Sequence, residues 1–395
     1  MLKEIILRDF FSFKGEHHIK LSKGVNILLG INGSGMTSFM HALEFLYEGV
    51  CGKGLKKLFA EWGGISQVIN FSGEGQGNLF SIAFVFDVNR LNQANHNFHF
   101  TGDVTYKVTV VNSGSTSYYV SEQLWEGECI HNREIMNYEN GQGKIAISST
   151  PPPDHRKDQT FDPQELVLRQ IQDIYSFEFV DILRKTINEL RIYESFDLRA
   201  GSMLRKPVTY SDSANLYPDG TNYANIISEI KDKDPVVYNR LNKDLSNVNH
   251  RYEVIDVSFY AGNIIPILRE NKLSKNVMVQ HISDGTLQYI LLLCIFRNRQ
   301  RGRLIAIDEP ERGLHPDMVK SVADMLKETS DTSQYIIATH SALLLNHFSL
   351  DDVIVFEKNK DNGSIVSYPD GEDFDDSDLL PGQLWLMGKI GGTRW

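Results

Sequence analysis

The fold of this chain is decided by Gly30-Ile31-Asn32-Gly33-Ser34-Gly35-Met36-Thr37-Ser38. The stretch follows an apolar run at residues 25–29 and leads into residues 39–46, which have a helical pattern. A strand, a glycine-rich turn and a helix start are the setting of a phosphate-binding P-loop. The glycines let successive backbone N–H groups point inward, and the helix start adds partial positive charge beneath them. The nine residues therefore predict a site for the phosphates of a nucleotide.

Position 36 departs from the P-loop pattern G-x-x-x-x-G-K-[ST], because the chain has Met36 where the pattern has lysine. A lysine there neutralises phosphate charge, whereas methionine has a similar length but neither a charge nor a hydrogen-bond donor. The backbone turn and the hydroxyl of Thr37 remain, so the pattern still predicts residual nucleotide binding. We expect hydrolysis of a bound triphosphate to be slowed by at least roughly a hundredfold, the scale of losing one charge-stabilising donor.

The composition indicates a soluble globular protein. Of the 395 residues, 41% are hydrophobic and 23% are charged, and the length is enough for two or three lobes. The net charge of -11 argues against wide, non-specific binding to nucleic acid, although a local basic patch stays open. The three cysteines are too far apart for a zinc motif and favour a reducing compartment. Because we find neither a signal peptide nor an apolar run of about 20 residues, we expect a cytoplasmic protein without membrane contact.

Apolar runs predict an α/β fold. Three short runs late in the chain are of the type that forms buried parallel strands, and helical patterns alternate with them. They are residues 304–307, 335–338 and 353–356. Three earlier runs predict an antiparallel β meander. They are residues 79–86, 104–111 and 117–121. Together these runs predict a mixed central sheet with helices on both faces and a separate meander.

Composition divides the chain into three parts. We expect residues 1–150 to form a first lobe with the P-loop and the meander, 151–250 a helical lobe, and 251–395 a second lobe. The boundary near 150 rests on residues 138–163, which are rich in Gly, Ser and Asp, contain three consecutive prolines and predict no packed element. Beyond residue 163 apolar residues recur at helical spacing, without the sustained heptads of a long coiled-coil arm.

Two carboxylates follow the first of the late strands. Asp308 and Glu309 lie at its C-terminal end, where folds of this class bind ligands. An aspartate in this place can hold Mg²⁺ together with Thr37, and the glutamate after it can accept a proton from an attacking water. The alternative is that these are two carboxylates without a function at the end of a strand. It is disfavoured because other clusters of polar residues accompany them.

Two of those clusters offer groups to an anion. Ser283-Asp284-Gly285 (the signature segment) opens an apolar helix and provides a hydroxyl, a glycine amide and a helix N-terminus, although the same residues also make an ordinary N-cap. His340 follows the second late strand, where it can contact a terminal phosphate or the attacking water rather than serve a structural role. Residues 311–316 form either a contact between two subunits or a simple capping loop, and both interpretations stay open.

The order of these clusters resembles that of ABC-type ATPases of the RecF/SMC branch. The phrases ISDGTLQYILLL (282–293), LIAIDEPERGLHP (304–316) and YIIATHSALLL (335–345) carry the resemblance. They are similar to short, armless predicted ATPases of the SMC-like group, related to the ATPase half of overcoming-lysogenisation-defect nucleases. The resemblance covers both ends of the chain and is weak in the middle.

The resemblance implies a sandwich dimer that binds ATP and Mg²⁺. ATP held by the P-loop of one subunit would be covered by Ser283 and Gly285 of the other. Asp308 would help to bind Mg²⁺, Glu309 would be the general base and His340 the phosphate sensor. The family also has a glutamine that links the metal to the helical lobe, for which Gln123 is the first candidate and Gln67 the alternative. Because Asp308, Glu309, Ser283 and His340 keep their expected types, an introduced substitution at position 36 is favoured over natural decay of the site.

Families of this type often act with a nuclease or another effector in defence against phages. We therefore expect a homodimer or higher homo-oligomer that controls a separate effector, a nuclease or a toxin. One alternative is a RecF-like DNA-repair ATPase that acts directly on DNA, and another is a scaffold that binds ATP without hydrolysing it. The densest basic stretch, residues 297–303, fits a solvated helix end better than a nucleic-acid contact, so any such contact is expected to be indirect.

Overall fold

The computed structural model describes residues 1–70, 77–93, 98–114, 117–127, 133–147, 156–370 and 379–392. The strands are β1 (Leu2–Arg8), β2 (Glu16–Lys20), β3 (Val25–Gly30), β4 (Leu79–Phe86), β5 (Val104–Asn112), β6 (Tyr118–Glu126), β7 (Arg133–Glu139), β8 (Gln142–Ala146), β9 (Arg156–Thr160), β10 (Leu190–Tyr193), β11 (Val208–Thr209), β12 (Tyr252–Tyr260), β13 (Asn263–Glu270), β14 (Val277–Met278), β15 (Leu304–Asp308), β16 (Gln334–Thr339), β17 (Val353–Lys358) and β18 (Ser364–Ser367). The helices are α1 (Met36–Val50), α2 (Leu55–Glu61), α3 (Ile65–Val68), α4 (Val88–Leu91), α5 (Val167–Gln170), α6 (Glu178–Ile187), α7 (Tyr223–Lys233), α8 (Pro235–Val248), α9 (Asp284–Arg297), α10 (Pro316–Thr329), α11 (Ala342–Leu345) and α12 (Pro381–Leu386).

The first sheet is antiparallel. Within the described ranges its strand order is β2-β1-β4-β5-β6-β7-β8-β9, so the predicted meander of β4, β5 and β6 continues beyond β6. Buried and half-exposed residues alternate along β6, which means that one face of the sheet is packed and the other is not. Buried residues of β1, β4 and β5, such as Ile5, Phe84 and Val108, contribute to a first hydrophobic core.

The second sheet is the predicted mixed sheet. Its order is β10-β15-β16-β3-β17-β18, in which only the last pairing in the described residues, β17 with β18, is antiparallel. The register places Ala338 of β16 beside both Asp308 of β15 and Leu28 of β3. Because parallel strands end at the same edge of a sheet, the loops after β3, β15 and β16 meet there.

Helices cover both faces of the second sheet. Helix α1 lies between the two sheets, where Phe39 and Leu43 share the first core with Leu28. Helices α9 and α10 cover the opposite face and form a second core with Ile27 and Ile307. Successive residues of a strand point to opposite faces, so α1 and α9 are separated by the thickness of the sheet.

The predicted helical lobe contains helices α5 to α8 together with strands. A small third sheet of β11, β12, β13 and β14 packs against α8. The Tyr238 hydroxyl of α8 donates to the Ile255 carbonyl at 2.8 Å, and the Ile255 N–H donates to Asn242 at 2.8 Å. The α/β fold with a mixed central sheet, a meander and an inserted helical lobe is therefore confirmed.

Two local predictions were wrong. Residues 138–163 contain β8 and β9, although their composition predicted no packed element; the ladder hydrogen bonds come from the backbone and do not require apolar side chains. The three prolines at 151–153 lie outside the described residues. Leu190–Tyr193, inside the predicted helical region, is the strand β10, which pairs with β15. The sequence did not show this, because a short apolar run is compatible with both a helix and a strand. The lobe boundaries at 150 and 250 stay a prediction.

Candidate functional site

The P-loop runs from β3 directly into α1. Gly33 and Gly35 have φ angles of 80° and 122°, in the left-handed region that favours glycine. The Phe39 N–H donates to the Gly35 carbonyl at 3.0 Å, so the turn closes into the first turn of the helix. At Gly30 a Cβ atom would lie 2.5 Å from the Phe356 carbonyl oxygen, which leaves no room for a side chain. The glycines of the motif are therefore required by backbone geometry.

The N-terminus of α1 is open to an anion. No side chain caps the helix and its first turn has no acidic residue, so its first N–H groups stay available. Thr37 is exposed and can present its hydroxyl to a metal ion. Met36 is only 6% exposed and packs in the first core. The loop thus offers backbone N–H groups and a hydroxyl to phosphates, but no cation at position 36.

A chain of hydrogen bonds joins the P-loop residue Ser38 to two hydroxyl groups from other parts of the chain. Ser12 and Ser38 share a hydrogen bond of 2.9 Å, and the Ser364 hydroxyl donates to Ser12 at 2.7 Å. A Cβ atom on Gly35 would lie 2.4 Å from the Ser364 hydroxyl oxygen, so this group touches the backbone of the loop. Sequence reasoning missed Ser12 and Ser364, because no motif spacing connects them to the P-loop.

Glu309 and His340 lie close together at the C-terminal edge of the second sheet. The Glu309 N–H donates to the Ala338 carbonyl at 2.8 Å, which joins the ends of β15 and β16. The Oε1 atom of Glu309 lies 3.8 Å from Nε2 of His340, and its Oε2 atom lies 3.9 Å from Nη1 of Arg312. Glu309 has a φ of 44°, a left-handed conformation that non-glycine residues adopt mainly where the surroundings enforce it. Both side chains remain about one-third exposed.

Asp308 ends β15 in a concentration of negative charge. Burial, followed by the carboxylates of Glu309 and Glu194, raises the pKa of Asp308 to about 6. A cation at this place would favour the ionised carboxylate and relieve the repulsion. Carboxylate and hydroxyl oxygens are the ligands that Mg²⁺ prefers, so Asp308 and the exposed Thr37 fit a magnesium ion held together with a phosphate.

Glu311 connects the loop after β15 to the loop that carries His340. Its Oε1 atom accepts a hydrogen bond of 2.5 Å from the Thr339 hydroxyl, and the Thr339 oxygen accepts one of 3.0 Å from the Ser341 N–H. Burial raises the pKa of the Glu311 carboxyl. We expect this chain of bonds to fix the direction in which His340 leaves β16, a role that the sequence motif did not suggest.

A buried arginine holds the signature segment. Arg205 is 4% exposed and lies in a 3₁₀ turn of the inserted lobe. Its guanidinium donates to the carbonyls of Val279 and Ile282 at 2.8 and 2.7 Å, and to the carboxylate of Asp284 at 2.5 Å. These bonds fix the turn that leads into α9. Sequence reasoning missed Arg205, because it lies 79 residues before Asp284.

The signature segment contacts the loop after β15 of its own chain. Ser283 caps α9 by accepting a hydrogen bond from the Thr286 N–H at 3.3 Å. A Cβ atom on Gly285 would lie 2.5 Å from the Gly313 carbonyl oxygen. The segment opens a helix on the second-core face, whereas the P-loop continues into α1 on the first-core face. The structure therefore gathers the P-loop, Asp308, Glu309 and His340 at one edge of the sheet, and the signature segment contacts the loop that follows Glu309 from the second-core face.

The structure does not bring Gln123 to this edge. Gln123 lies on β6, paired with Lys107 and Asn137, and alternates with the buried residues Glu122 and Leu124. Its side chain therefore points to the face of the first sheet that is turned away from the core and from α1.

The alternative, Gln67, lies in a segment that packs against α1. It is an exposed residue of α3. The carbonyl of its neighbour Val68 accepts a 2.6 Å hydrogen bond from the Phe11 N–H. The Trp62 ring, which precedes α3, packs against the His41 ring of α1 at a tilt, with the ring centroids 5.1 Å apart.

All four arginines of the basic stretch have partners in the structure, and two of these pairs are Arg299 with Asp234 and Arg303 with Glu189. Arg297 is 7% exposed and donates to Asp244 at 2.6 Å and to Glu328 at 2.9 Å. Arg301 donates to the Ser333 hydroxyl at 3.1 Å. The expectation of a solvated helix end is wrong for Arg297, because acidic side chains from α8 and α10 enclose it.

Among the described helices, none has both the length and the apolar character needed to cross a membrane.

Comparisons with known proteins identify the family and the fold. Residues 25–346 match the family described as "AAA domain, putative AbiEii toxin, Type IV TA system". Fifty residues are 38% identical to the structural maintenance of chromosomes protein 3 homolog of Plasmodium falciparum (isolate 3D7), a match that spans 13% of this chain and 4% of that protein.

Two solved structures of SMC heads have a similar fold. One is an SMC head bound to the C-terminal winged-helix domain of ScpA, with a TM-score of 0.59, 17% identity, and coverage of 94% of this chain and 98% of that chain. The other is an SMC head from Pyrococcus furiosus with an extended coiled coil, bound to the C-terminal domain of ScpA; its TM-score is 0.57, with 15% identity and coverage of 94% and 97%. We conclude that the chain belongs to this AbiEii-related AAA family and that its fold is similar to that of the SMC heads.

Proposed function

We propose that the chain is an ATP-dependent switch that assembles around bound ATP and controls a partner effector. One observation carries the proposal: the P-loop, Asp308, Glu309 and His340 share one sheet edge, while the signature segment opens a helix on the opposite face. We infer that a nucleotide on the P-loop of one copy meets the signature segment of a second copy. Assembly would complete the site, and loss of the nucleotide would open it.

The roles of the nucleotide-binding residues follow from their positions. The N–H groups of Gly33, Gly35 and the first turn of α1 would hold the phosphates, with Asn32, Ser34 and Ser38 completing the loop. Thr37 and Asp308 would hold Mg²⁺, which when bound supplies positive charge to the phosphate oxygens. For the glutamine that links the metal to the rest of the chain we propose Gln67 in place of Gln123, because its segment packs against α1.

The hydrolytic roles fall to Glu309 and His340. The carboxylate of Glu309 would accept the proton of the attacking water, and His340 would contact the terminal phosphate. Their separation of 3.8 Å leaves both groups within reach of one water molecule. Ser283 and Gly285 of the second copy would cover the phosphates from the other side.

Met36 would let the site bind ATP but hydrolyse it slowly. Its side chain is buried in the first core and has no charge to place against developing phosphate charge. Electrostatic stabilisation of that charge is a large catalytic contribution, so its loss slows turnover by at least roughly a hundredfold. Both an introduced and a natural origin of Met36 are compatible with this account.

The partner we propose is a separate nuclease or toxin in a cytoplasmic anti-phage defence system of a prokaryote. The support is the family description, which names a toxin and a type IV toxin–antitoxin system. The SMC heads with a similar fold are bound to ScpA, so this fold can carry a partner protein. Nucleic acid would then be handled by the effector rather than by this chain.

A RecF-like ATPase that binds DNA directly is the second candidate. A cleft of about 690 Å³ favours it, because six of the 14 residues that line it are basic and two, Glu189 and Asp331, are acidic. The basic residues are Arg90, Lys185, Arg191, Arg299, Arg301 and Arg303. DNA binding by the isolated chain that weakens steeply with salt would support this candidate over the switch.

Sedimentation velocity with and without Mg²⁺–ATP tests the switch. The chain should carry Met36→Lys and Glu309→Gln, so that ATP is held and not consumed. We expect ATP to convert monomers into dimers or larger assemblies, and Ser283→Arg to prevent this. Ser211→Arg, at an exposed position outside the site, is the matched control and should assemble normally. An assembly state that does not respond to ATP would overturn the proposal and favour a scaffold.

A further inference from the structure

Three metal-binding side chains lie together beside the nucleotide site. His41 and Glu44 are one turn apart on α1, and Glu194 directly follows β10. One ligand atom from each of the three lies within 4.8 Å of the other two, and Nδ1 of His41 is 3.2 Å from Oε2 of Glu44. Glu44 and Glu194 also line a cavity of about 720 Å³, which gives an ion access from solvent.

The carboxylate of Glu44 has hydrogen-bond partners within the chain, whereas that of Glu194 has none among the described residues. The carboxylate of Glu44 accepts a hydrogen bond from the Trp62 indole at 3.3 Å and one from Lys53 at 3.5 Å. Glu194 has no hydrogen bond or ion pair with any described residue, although it faces the His41–Glu44 pair. Glu44 and Glu194 bring two carboxylates to the cluster, and Lys53, which bonds to Glu44, also pairs with Glu61, so a cation is electrostatically favoured here.

We propose that His41, Glu44 and Glu194 bind one divalent transition-metal ion, at a site separate from the Mg²⁺ site of Asp308 and Thr37. An imidazole combined with carboxylates suits zinc, manganese or iron better than magnesium, which prefers oxygen ligands alone. Ligand atoms about 2.0–2.2 Å from one ion lie at most about 4.4 Å apart. The three side chains therefore need only small rotations to close around the ion.

The ion would join two elements that frame the nucleotide site. His41 and Glu44 belong to the helix that starts at the P-loop. Glu194 extends the strand whose last residue, Tyr193, pairs with Ile307, the residue before Asp308. Metal binding would therefore fix α1 against the strand next to β15.

A titration of the full, tag-free chain with Co²⁺ in the absence of nucleotide tests the site. Cobalt is the probe because its visible absorption reports the nitrogen and oxygen atoms bound to it. We expect one Co²⁺ per chain, displaced by Zn²⁺ and not by a tenfold excess of Mg²⁺. Glu194→Gln, at an exposed position, should weaken binding by at least about tenfold, and His41→Gln should do the same and change the absorption spectrum.

Two controls make the result decisive. Glu48→Gln alters another carboxylate that lines the same cavity, and it should leave Co²⁺ binding unchanged. Asp308→Asn removes a carboxylate of the magnesium site, and this variant should still bind one Co²⁺ per chain. Equal Co²⁺ affinity in the Glu194→Gln chain, or loss of the ion in Asp308→Asn alone, overturns the proposal. Thermal melting confirms that each variant is folded.

Discussion

The Nε2 atom of His340 lies 3.8 Å from the Oε1 atom of Glu309. The two residues come from neighbouring strands, and the hydrogen bond from the Glu309 N–H to the Ala338 carbonyl fixes the ends of those strands relative to each other. The separation is too long for a direct hydrogen bond and suits a water molecule that contacts both groups. This geometry underlies the first prediction.

Glu309→Gln should abolish ATP turnover and preserve ATP binding. Glutamine keeps the size of the side chain and its contact with His340, but it cannot accept the proton of the attacking water. Turnover and nucleotide affinity are measured in the Met36→Lys background, where hydrolysis is fast enough to quantify. Equal rates of ATP hydrolysis in Glu309→Gln and in its Met36→Lys parent would contradict the role of Glu309 as proton acceptor.

Arg205→Ala should weaken ATP-dependent assembly without changing ATP affinity at the P-loop. The substitution removes the donors that hold Val279, Ile282 and Asp284 in place, and leaving buried acceptors unpaired costs about 1–3 kcal/mol of unfolding free energy. Arg199→Ala is the matched control, because Arg199 lies nearby and pairs only with exposed Asp197 in the described structure. Sedimentation and urea denaturation measure the two effects. Identical assembly of both variants would show that Arg205 does not position the signature segment.

Thr339→Val should slow turnover by loosening His340. Valine has the shape of threonine but lacks the hydroxyl that links Glu311 to the Ser341 N–H. Glu311 would then lose a buried hydrogen-bond partner, at a cost of about 1–3 kcal/mol. Thr339→Ser keeps the hydroxyl and is the control. If the valine and serine variants turn over ATP at the same rate, this hydrogen-bond chain does not support the site.

Glu122 should make stability depend on pH. Burial raises the pKa of this carboxyl from 4.5 to about 7, although the Tyr106 hydroxyl and the Val167 N–H donate to it. Because the folded-state pKa is the higher one, this group favours folding most below pH 4.5, and its contribution falls as the pH rises to about 7 and then levels off.

Glu122→Gln should remove this dependence. We expect it to raise the free energy of unfolding at pH 8 by up to about 3 kcal/mol, the equivalent of the pKa shift, and to have a smaller effect at pH 5. Urea denaturation of both chains at the two pH values measures the difference. An equal effect of the substitution at pH 5 and pH 8 would contradict the assigned pKa.

The sequence was most informative where the signal is local. The strand–turn–helix at the P-loop, the apolar runs of β15, β16 and β17 and the polar residues that follow two of them are contiguous patterns, so their place at one sheet edge could be predicted. Contacts that span long stretches of chain could not. The bonds of Arg205 to the signature segment, and the outward direction of Gln123, depend on how distant segments pack. The strands β8 and β9 were not predicted, because the composition of residues 138–163 is typical of loops and the strands are held by backbone hydrogen bonds that composition does not reveal.

The rate of ATP hydrolysis after Met36→Lys tests the central claim most directly. Lysine at this position would add the charge that the otherwise equipped site lacks, and Met36→Leu is the control of similar size without charge. The account predicts that Met36→Lys hydrolyses ATP at least roughly a hundredfold faster than the unaltered chain, that Met36→Leu does not, and that adding Glu309→Gln removes the gain. Equal rates for the unaltered chain and Met36→Lys would contradict it.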